Sequence, residues 1–300
     1  MYENHCGSAQ LADVYDLRAL PASELARGAA HGGAFAIVAV RLPQAYLAGA
    51  AMSPGAEKPS GLPCDRCVGR SFNLCKPLDD ARLRVMLGLG GFRRWKKREV
   101  LFRAGEPIGA FFKIRSGVVA VSRTLDDGRR QIVAVRAPGD CVGYLDVDGR
   151  YAFEGEALTD VAACAFDRRR FDAFAAQHPD LAVAVAEALS AALRQSSEHM
   201  LVLGQLRSTE RVAHFLTEIE ALYRQRHVST RPLSLKMSRT EIADYLGLTI
   251  ETVSRAIGKL KNRNVIGLVG SDEVVVLDKV RLRQIGKCDW AEVIEQPQEA

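Results

Sequence analysis

The chain has 300 residues, 48% hydrophobic and 26% charged, enough to bury about two folded cores at roughly 150 residues each, and its net charge of +5 is too mild to demand a nucleic-acid partner by itself. No apolar run reaches the ~20 residues of a membrane helix, since the nearest, Ala34 to Met52, is broken by Arg41, Pro43 and Gln44. The N-terminus lacks the basic opening of a secretory signal, so a cytoplasmic protein with no membrane partner is expected.

Residues 1 to 60 are rich in Ala, Gly and Pro, show no sustained periodicity, and are expected to form a poorly ordered extension. Met52 offers an alternative start, which would place residues 1 to 51 outside the native chain; N-terminal sequencing checks this. Of the seven cysteines, Cys64, Cys67 and Cys75 crowd into one short stretch, while Cys6, Cys141, Cys164 and Cys288 are scattered. In a reducing compartment they read as ligands, redox groups or small buried hydrophobes rather than disulfides.

From about Phe92 to Phe166 short apolar runs recur between turn signals, the pattern of a small all-β barrel or sandwich. The runs are Glu99–Phe102, Ala110–Arg115, Val118–Thr124, Gln131–Arg136 and Asp160–Phe166. Asp127-Gly128 between two alternating runs is a hairpin signal. From Pro179 to Leu206 the pattern turns helical: Leu181, Val185, Ala188, Ala192, Leu193, Met200, Leu203 and Leu206 repeat at three- and four-residue spacing. That stripe suits packing onto the chain's own β unit or association with a second copy. A further helix is expected over Glu210 to Gln225.

Basic charge concentrates next. Between Ser229 and Gly270 stand Arg231, Lys236, Arg239, Arg255, Lys259, Lys261 and Arg263, against Glu241, Asp244 and Glu251. Ser238-Arg239-Thr240-Glu241 fits a capping box, so a helix should begin at Ser238 and end at Gly247, whose successor Leu248 leads to Thr249 as the cap of a second helix. In that second helix Ile250, Val253, Ile257 and Leu260 form the expected buried stripe, and Glu251, Ser254, Arg255 and Lys259 the exposed face. Arg255 and Glu251 suit base edges in the major groove; Lys259, Lys261 and Arg263 suit phosphates. An amphipathic hairpin with a solvated charged face is the plain alternative. Val265–Val269 and Val274–Leu277 around Gly270-Ser271-Asp272 read as a β-wing, or as a hairpin closing the domain.

A β unit, a long helix and a winged helix-turn-helix, in that order, resemble the Crp/Fnr family of bacterial transcription regulators over about Cys64 to Leu277. The most specific segment, Leu248-Thr249-Ile250-Glu251-Thr252-Val253-Ser254-Arg255, is similar to the recognition helix of the Fnr and FixK branch. The resemblance implies an α+β fold: a cyclic-nucleotide-binding-like β-barrel of jelly-roll type with the cysteine loop over 61–175, a dimerisation helix over 176–207, a winged helix-turn-helix over 208–286, and a tail over 287–300. It implies Glu251, Ser254 and Arg255 on the bases and a homodimer on a palindrome similar to TTGAT-N4-ATCAA, with RNA polymerase as a further partner. Cyclic-nucleotide binders of the family carry a Glu after the Pro-Gly-Asp turn and an Arg followed by Ser or Thr. Here Tyr144 replaces the Glu and Arg150 precedes Tyr151, so no cyclic nucleotide is expected.

Cys64-x2-Cys67-x7-Cys75 resembles the N-terminal cluster of Fnr-type oxygen sensors in its rhizobial spacing, and Cys164 holds the place of their fourth cysteine. The resemblance implies that Cys64, Cys67, Cys75 and Cys164 bind a four-iron four-sulfur (4Fe-4S) cluster, whose loss to oxygen would weaken the dimer and release DNA. Three thiols could equally bind zinc, or act as a thiol switch. Cys141 rivals Cys164 as fourth ligand, its plain reading being a small buried hydrophobe. An enzyme using Cys64-x2-Cys67 as a dithiol redox centre is the rival class, but the βαβ context of such a motif is missing.

Overall fold

A computed structural model describes residues 62–144, 146–228, 233–269 and 273–288. The expected extension over residues 1–60, with Cys6, lies outside them, as do the wing tip at 270–272 and most of the tail.

Strand alternation builds the β half. The strands β1 (Gly90–Trp95), β2 (Val100–Phe102), β3 (Ala110–Ser116), β4 (Val119–Thr124), β5 (Arg130–Arg136), β6 (Cys141–Val142), β9 (Glu154–Ala157) and β10 (Val161–Asp167) make two four-stranded antiparallel sheets, ordered β1-β10-β3-β6 and β2-β9-β4-β5. A short ribbon, β7 (Asp146–Val147) and β8 (Arg150–Tyr151), stands apart. Phe112 and Ile114 of β3, with Ala163 and Ala165 of β10, meet Phe102, Val119 and Ala157 between the sheets. The Phe102 and Phe112 rings stack there at 5.9 Å. Neither sheet closes on itself, so the expected barrel is a jelly-roll-like sandwich with open edges.

The outward-facing residues of the first sheet, among them Phe111, Cys164 and Phe166, are covered by the loop from Leu62 to Leu78, α1 (Asp80–Leu87), α2 (Arg168–Ala175) and the start of α3 (Pro179–Gln205). Asp79 and Asp167 cap α1 and α2 by accepting from the amides of Arg82 and Arg170. These helices, at eight residues each, are too short to announce themselves by periodicity.

The second sheet's other face, with Ala120, Ile132 and Val135, runs into the core of the helical C-terminal half. That half comprises α4 (Ser208–Gln225), β11 (Leu233–Ser234), α5 (Arg239–Leu246), α6 (Ile250–Asn262), β12 (Ile266–Val269), β13 (Glu273–Val276) and α7 (Lys279–Ile285). The wing pairs Ile266 with Val276 through Val269 with Glu273, and β11 adds a third strand beside β13. No helix among the described residues is long and apolar enough to cross a membrane.

Candidate nucleic-acid interface and cysteine centre

The helix-turn-helix forms as its local chemistry dictates. The Ser238 hydroxyl accepts from the Glu241 amide at 3.2 Å while Glu241 Oε2 accepts from the Ser238 amide at 2.6 Å, closing the capping box. Gly247 ends α5 in the left-handed conformation, φ 59° and ψ 43°, where a Cβ would be strained. Thr249 Oγ1 then accepts from the Thr252 amide at 3.2 Å and starts α6. The buried stripe of α6 is Val253, Ala256, Ile257 and Leu260. Ile250, the first residue of α6, departs from the expected stripe: it is 44% exposed.

Glu251, Ser254, Arg255, Lys259 and Lys261 are all exposed, so the face expected to read DNA is free. Its own backbone amide and then the Thr249 hydroxyl hold the Glu251 carboxyl below its ordinary range, helped by Arg255 one turn on. Arg255 donates to Thr252 Oγ1 at 3.4 Å, which pre-positions its guanidinium. A basic cleft is lined by Arg207 just before α4, Lys259 of α6, Arg263 just after it, and Arg281 and Lys287 of and just after α7, with Glu210 its one acid. Arg281 gives no signal in the sequence, because α7 meets α4 only in the folded chain.

The cysteine loop is a series of tight turns. The Cys67 amide donates to Cys64 O at 3.0 Å and the Arg70 amide to Cys67 O at 2.9 Å. Arg70 also reaches inward, donating to Cys75 O and, at 2.6 Å, to Leu78 O, so the segment closes on itself. Cys64, Cys75 and Cys164 are buried in one cluster with Leu74, Leu78 and Leu181. The turn Asn73–Cys75 packs directly on α3.

Strand register sets what this loop faces. Phe92, Cys164, Lys113 and Cys141 are successive partners across β1, β10, β3 and β6, and therefore share one face of the sheet. Burial pushes the Cys164 thiol up to about 12, opposed by Arg115 and reinforced by repulsion from Cys75, Cys67 and Cys64. Burial also raises Cys64, with Cys75 and Cys67 adding to it, and raises Cys75, opposed first by Lys113. Cys141 is pushed to about 12, by burial first, but Cys75 is the one thiol that acts on it. Cys164 shares its buried cluster with Cys64 and Cys75, and Cys141 packs against the edge of that cluster. Among the described residues no three cysteine, histidine or carboxylate side chains are set to close on a single metal ion. A zinc ion needs its sulfurs about 3.8 Å apart, from bonds of about 2.3 Å, whereas a four-iron cluster holds its thiolates further apart. The donor set, thiols beside the cationic side chains of Lys113 and Arg115, suits a metal–thiolate group of either kind.

Sequence reading missed the side chains that hold this loop. Arg226, just past α4, lies over the Phe72 ring at 3.8 Å and donates to Pro138 O at 3.0 Å and Asp140 Oδ1 at 2.9 Å. Gly139 between them has φ 97°, and a Cβ there would stand 2.4 Å from Arg226 and 2.9 Å from Phe72. The one available signal was a lysine and an arginine two apart, Lys113 and Arg115, in the apolar run of β3.

Between the second sheet and α3 is a cavity of about 370 Å³ lined chiefly by apolar groups such as Val133, Val142, Val185 and Ala188, with Arg136 and Tyr144 at its wall. Tyr144 packs edge-on against Phe111 at 5.0 Å beneath the Arg168 guanidinium, and offers no carboxylate. Arg150 lies outside the cavity, donating to Gly105 O at 2.8 Å.

Comparison with known proteins agrees with this architecture. Residues 92–178 match the cyclic nucleotide-binding domain and residues 210–285 the Crp-like helix-turn-helix domain. The nitrogen fixation regulation protein FixK of Bradyrhizobium diazoefficiens is 34% identical over 232 residues, covering 76% of this chain and 95% of that one. The transcriptional activator protein Anr of Pseudomonas aeruginosa is 35% identical over 191 residues, 63% of this chain and 78% of that one. The structure of FixK2 from Bradyrhizobium japonicum superposes with a TM-score of 0.60 at 32% identity, over 65% of this chain and 96% of that one. These relatives are regulators, which sets aside the dithiol enzyme. Order of elements, matched domains and relatives together place the chain in the Crp/Fnr family of DNA-binding transcription regulators.

Proposed function

We propose that this chain is a cytoplasmic, homodimeric transcription activator whose DNA affinity follows the state of a four-iron four-sulfur cluster held by Cys64, Cys67, Cys75 and Cys164. The observation that carries the reading is that Cys64 and Cys75 of the loop are buried in one cluster with Cys164, a strand position on the sheet beneath. Activation rather than repression follows the name borne by Anr. The division of labour is a cysteine loop and sensor over 61–175, a dimerisation helix over 176–207, a DNA-binding unit over 208–286 and a tail over 287–300.

The group would supply an oxygen-labile link between loop and sheet. The chain does the rest. With the loop pinned, its turn Asn73–Cys75 supports α3 along one side, leaving Leu189, Leu193 and Met200 exposed in a stripe at four- and seven-residue spacing for a second α3. Two protomers then present paired α6 helices to major grooves about 34 Å apart. Glu251, Ser254 and Arg255 read a palindrome similar to TTGAT-N4-ATCAA, and Lys259, Lys261 and the cleft of Arg207, Arg263, Arg281 and Lys287 hold phosphates. RNA polymerase is the partner an activator recruits, and low oxygen is the signal. Cyclic nucleotide is not the effector: the cavity offers an aromatic at Tyr144 for a ribose and leaves Arg150 outside for a phosphate.

Anaerobic purification tests this. A brown protein with about four iron and four sulfide per chain, bleached by air, is expected. The colour should be lost in Cys164→Ser and kept in Cys141→Ser. A colourless protein holding one zinc per chain would replace the cluster by the zinc reading, and one that binds no metal but loses DNA on thiol oxidation would replace it by a thiol switch.

A further inference from the structure

Lys113 is 2% exposed, and among the described residues its ammonium meets two carbonyls, Phe72 O at 2.7 Å and Gly139 O at 2.9 Å, but no carboxylate. A buried ammonium without a counter-charge is costly. Its cross-strand neighbours on the same sheet face are Cys164 on one side and Cys141 on the other. Two residues along the same face, Arg115 donates to Pro63 O at 2.9 Å and lies over the Phe92 ring at 4.6 Å. One cation therefore grips the loop just before Cys64 and the other just before Cys75. The opposing charges that act most on Cys64 and Cys164 come from Arg115, and on Cys75 and Cys141 from Lys113.

Four thiolates around a cluster core of charge 2+ leave a net charge of about −2 in a buried place. A site for such a group needs positive charge that cannot escape to solvent, and Lys113 is where the fold has put it. We infer that Lys113 is the internal counter-ion and loop anchor of the cysteine site: a positioning residue, not a ligand, that balances the metal–thiolate charge while tying Phe72 and Gly139 to the sheet bearing Cys164. Its second acceptor, Gly139, also accepts from Asn73 Nδ2 at 2.8 Å and sits between Pro138 and Asp140, which Arg226 holds from the DNA-binding half. Release of the loop would thus loosen a joint shared with that half.

This inference rests on the proposed metal site, and its test separates the two. Lys113→Gln keeps amide donors for both carbonyls without the charge; Lys113→Arg keeps the charge. Each full-length protein is loaded anaerobically with ferrous iron and sulfide. Lys113→Gln should melt like the wild type in the metal-free state, yet bleach several-fold faster in air and show a lower midpoint potential, with Lys113→Arg restoring both. Equal bleaching and equal potential in all three would overturn the role. If the wild type takes up no iron and sulfide, the cluster reading fails alone, and competition for Zn2+ against a chelator judges Lys113. There a several-fold weaker hold in Lys113→Gln, restored in Lys113→Arg, supports the counter-ion, whereas equal affinity, or no zinc bound at all, overturns it.

Discussion

His199 on α3 stacks on Tyr245 of α5 with ring centroids 4.2 Å apart, joining the long helix to the helix-turn-helix through a titratable ring. Burial lowers its pKa from the ordinary 6.5, outweighing Glu218 and the Tyr245 backbone, which raise it, with Arg211 and His214 adding to the depression. Its Nε2 is buried without a hydrogen-bond partner among the described residues. The folded state therefore binds fewer protons than the unfolded one. The stabilisation from neutral His199 is complete above about pH 6.5 and is lost as pH falls through the depressed folded value. Melting temperature should drop between pH 7 and pH 5, and His199→Phe, which keeps the stack, should flatten that drop. On α6 the exposed cations should behave unlike one another. Arg255→Ala should cost about 1–3 kcal/mol of binding and relax preference at one base, whereas Lys261→Ala should weaken all sequences alike and reduce the salt slope. Identical behaviour in a binding series across salt would mean that the two roles are misassigned.

At the scale of elements, the joint between α5 and α6 depends on Gly247. A Cβ there would find only ordinary contacts, with Leu203 at 3.7 Å and Arg211 at 3.8 Å, so strain at φ 59° is the whole cost of a side chain. Gly247→Ala should lower the stability to urea by about 1–2 kcal/mol, and Gly247→Asn by less, since Asn tolerates the left-handed region. Ser238→Ala, which opens the capping box, should cost about 1 kcal/mol. The cap, the turn and the reading face were legible from residues three and four apart. Ile250 was not, because periodicity gives its direction on α6 and not whether another element covers the first turn.

At the scale of the molecule, α3 divides its apolar stripe. Leu181, Ala184 and Val202 are buried on their own protomer, while Leu193 and Met200 are 68% and 64% exposed. The buried face packs on the chain itself, and the exposed one is the surface proposed for a second copy. Leu193→Glu should leave the melting temperature nearly unchanged, shift sedimentation toward the monomer, and reduce affinity for a palindrome far more than for a half-site. An unchanged sedimentation coefficient would move the seam elsewhere.

What the chain determined by itself was local: the capping box at Ser238, the break at Gly247, the exposed Glu251, Ser254 and Arg255, and the close spacing of Cys64, Cys67 and Cys75. Each follows from backbone periodicity or from neighbours within a dozen residues. Tertiary structure decided the rest. That Cys164 and Cys141 share one sheet face, that Lys113 is buried between them, and that Arg226 closes over Phe72 depend on strand register and on contacts between segments tens of residues apart. A one-residue slip in the pairing of β10 with β3 would turn Cys164 to the other face of the sheet and leave every local pattern intact.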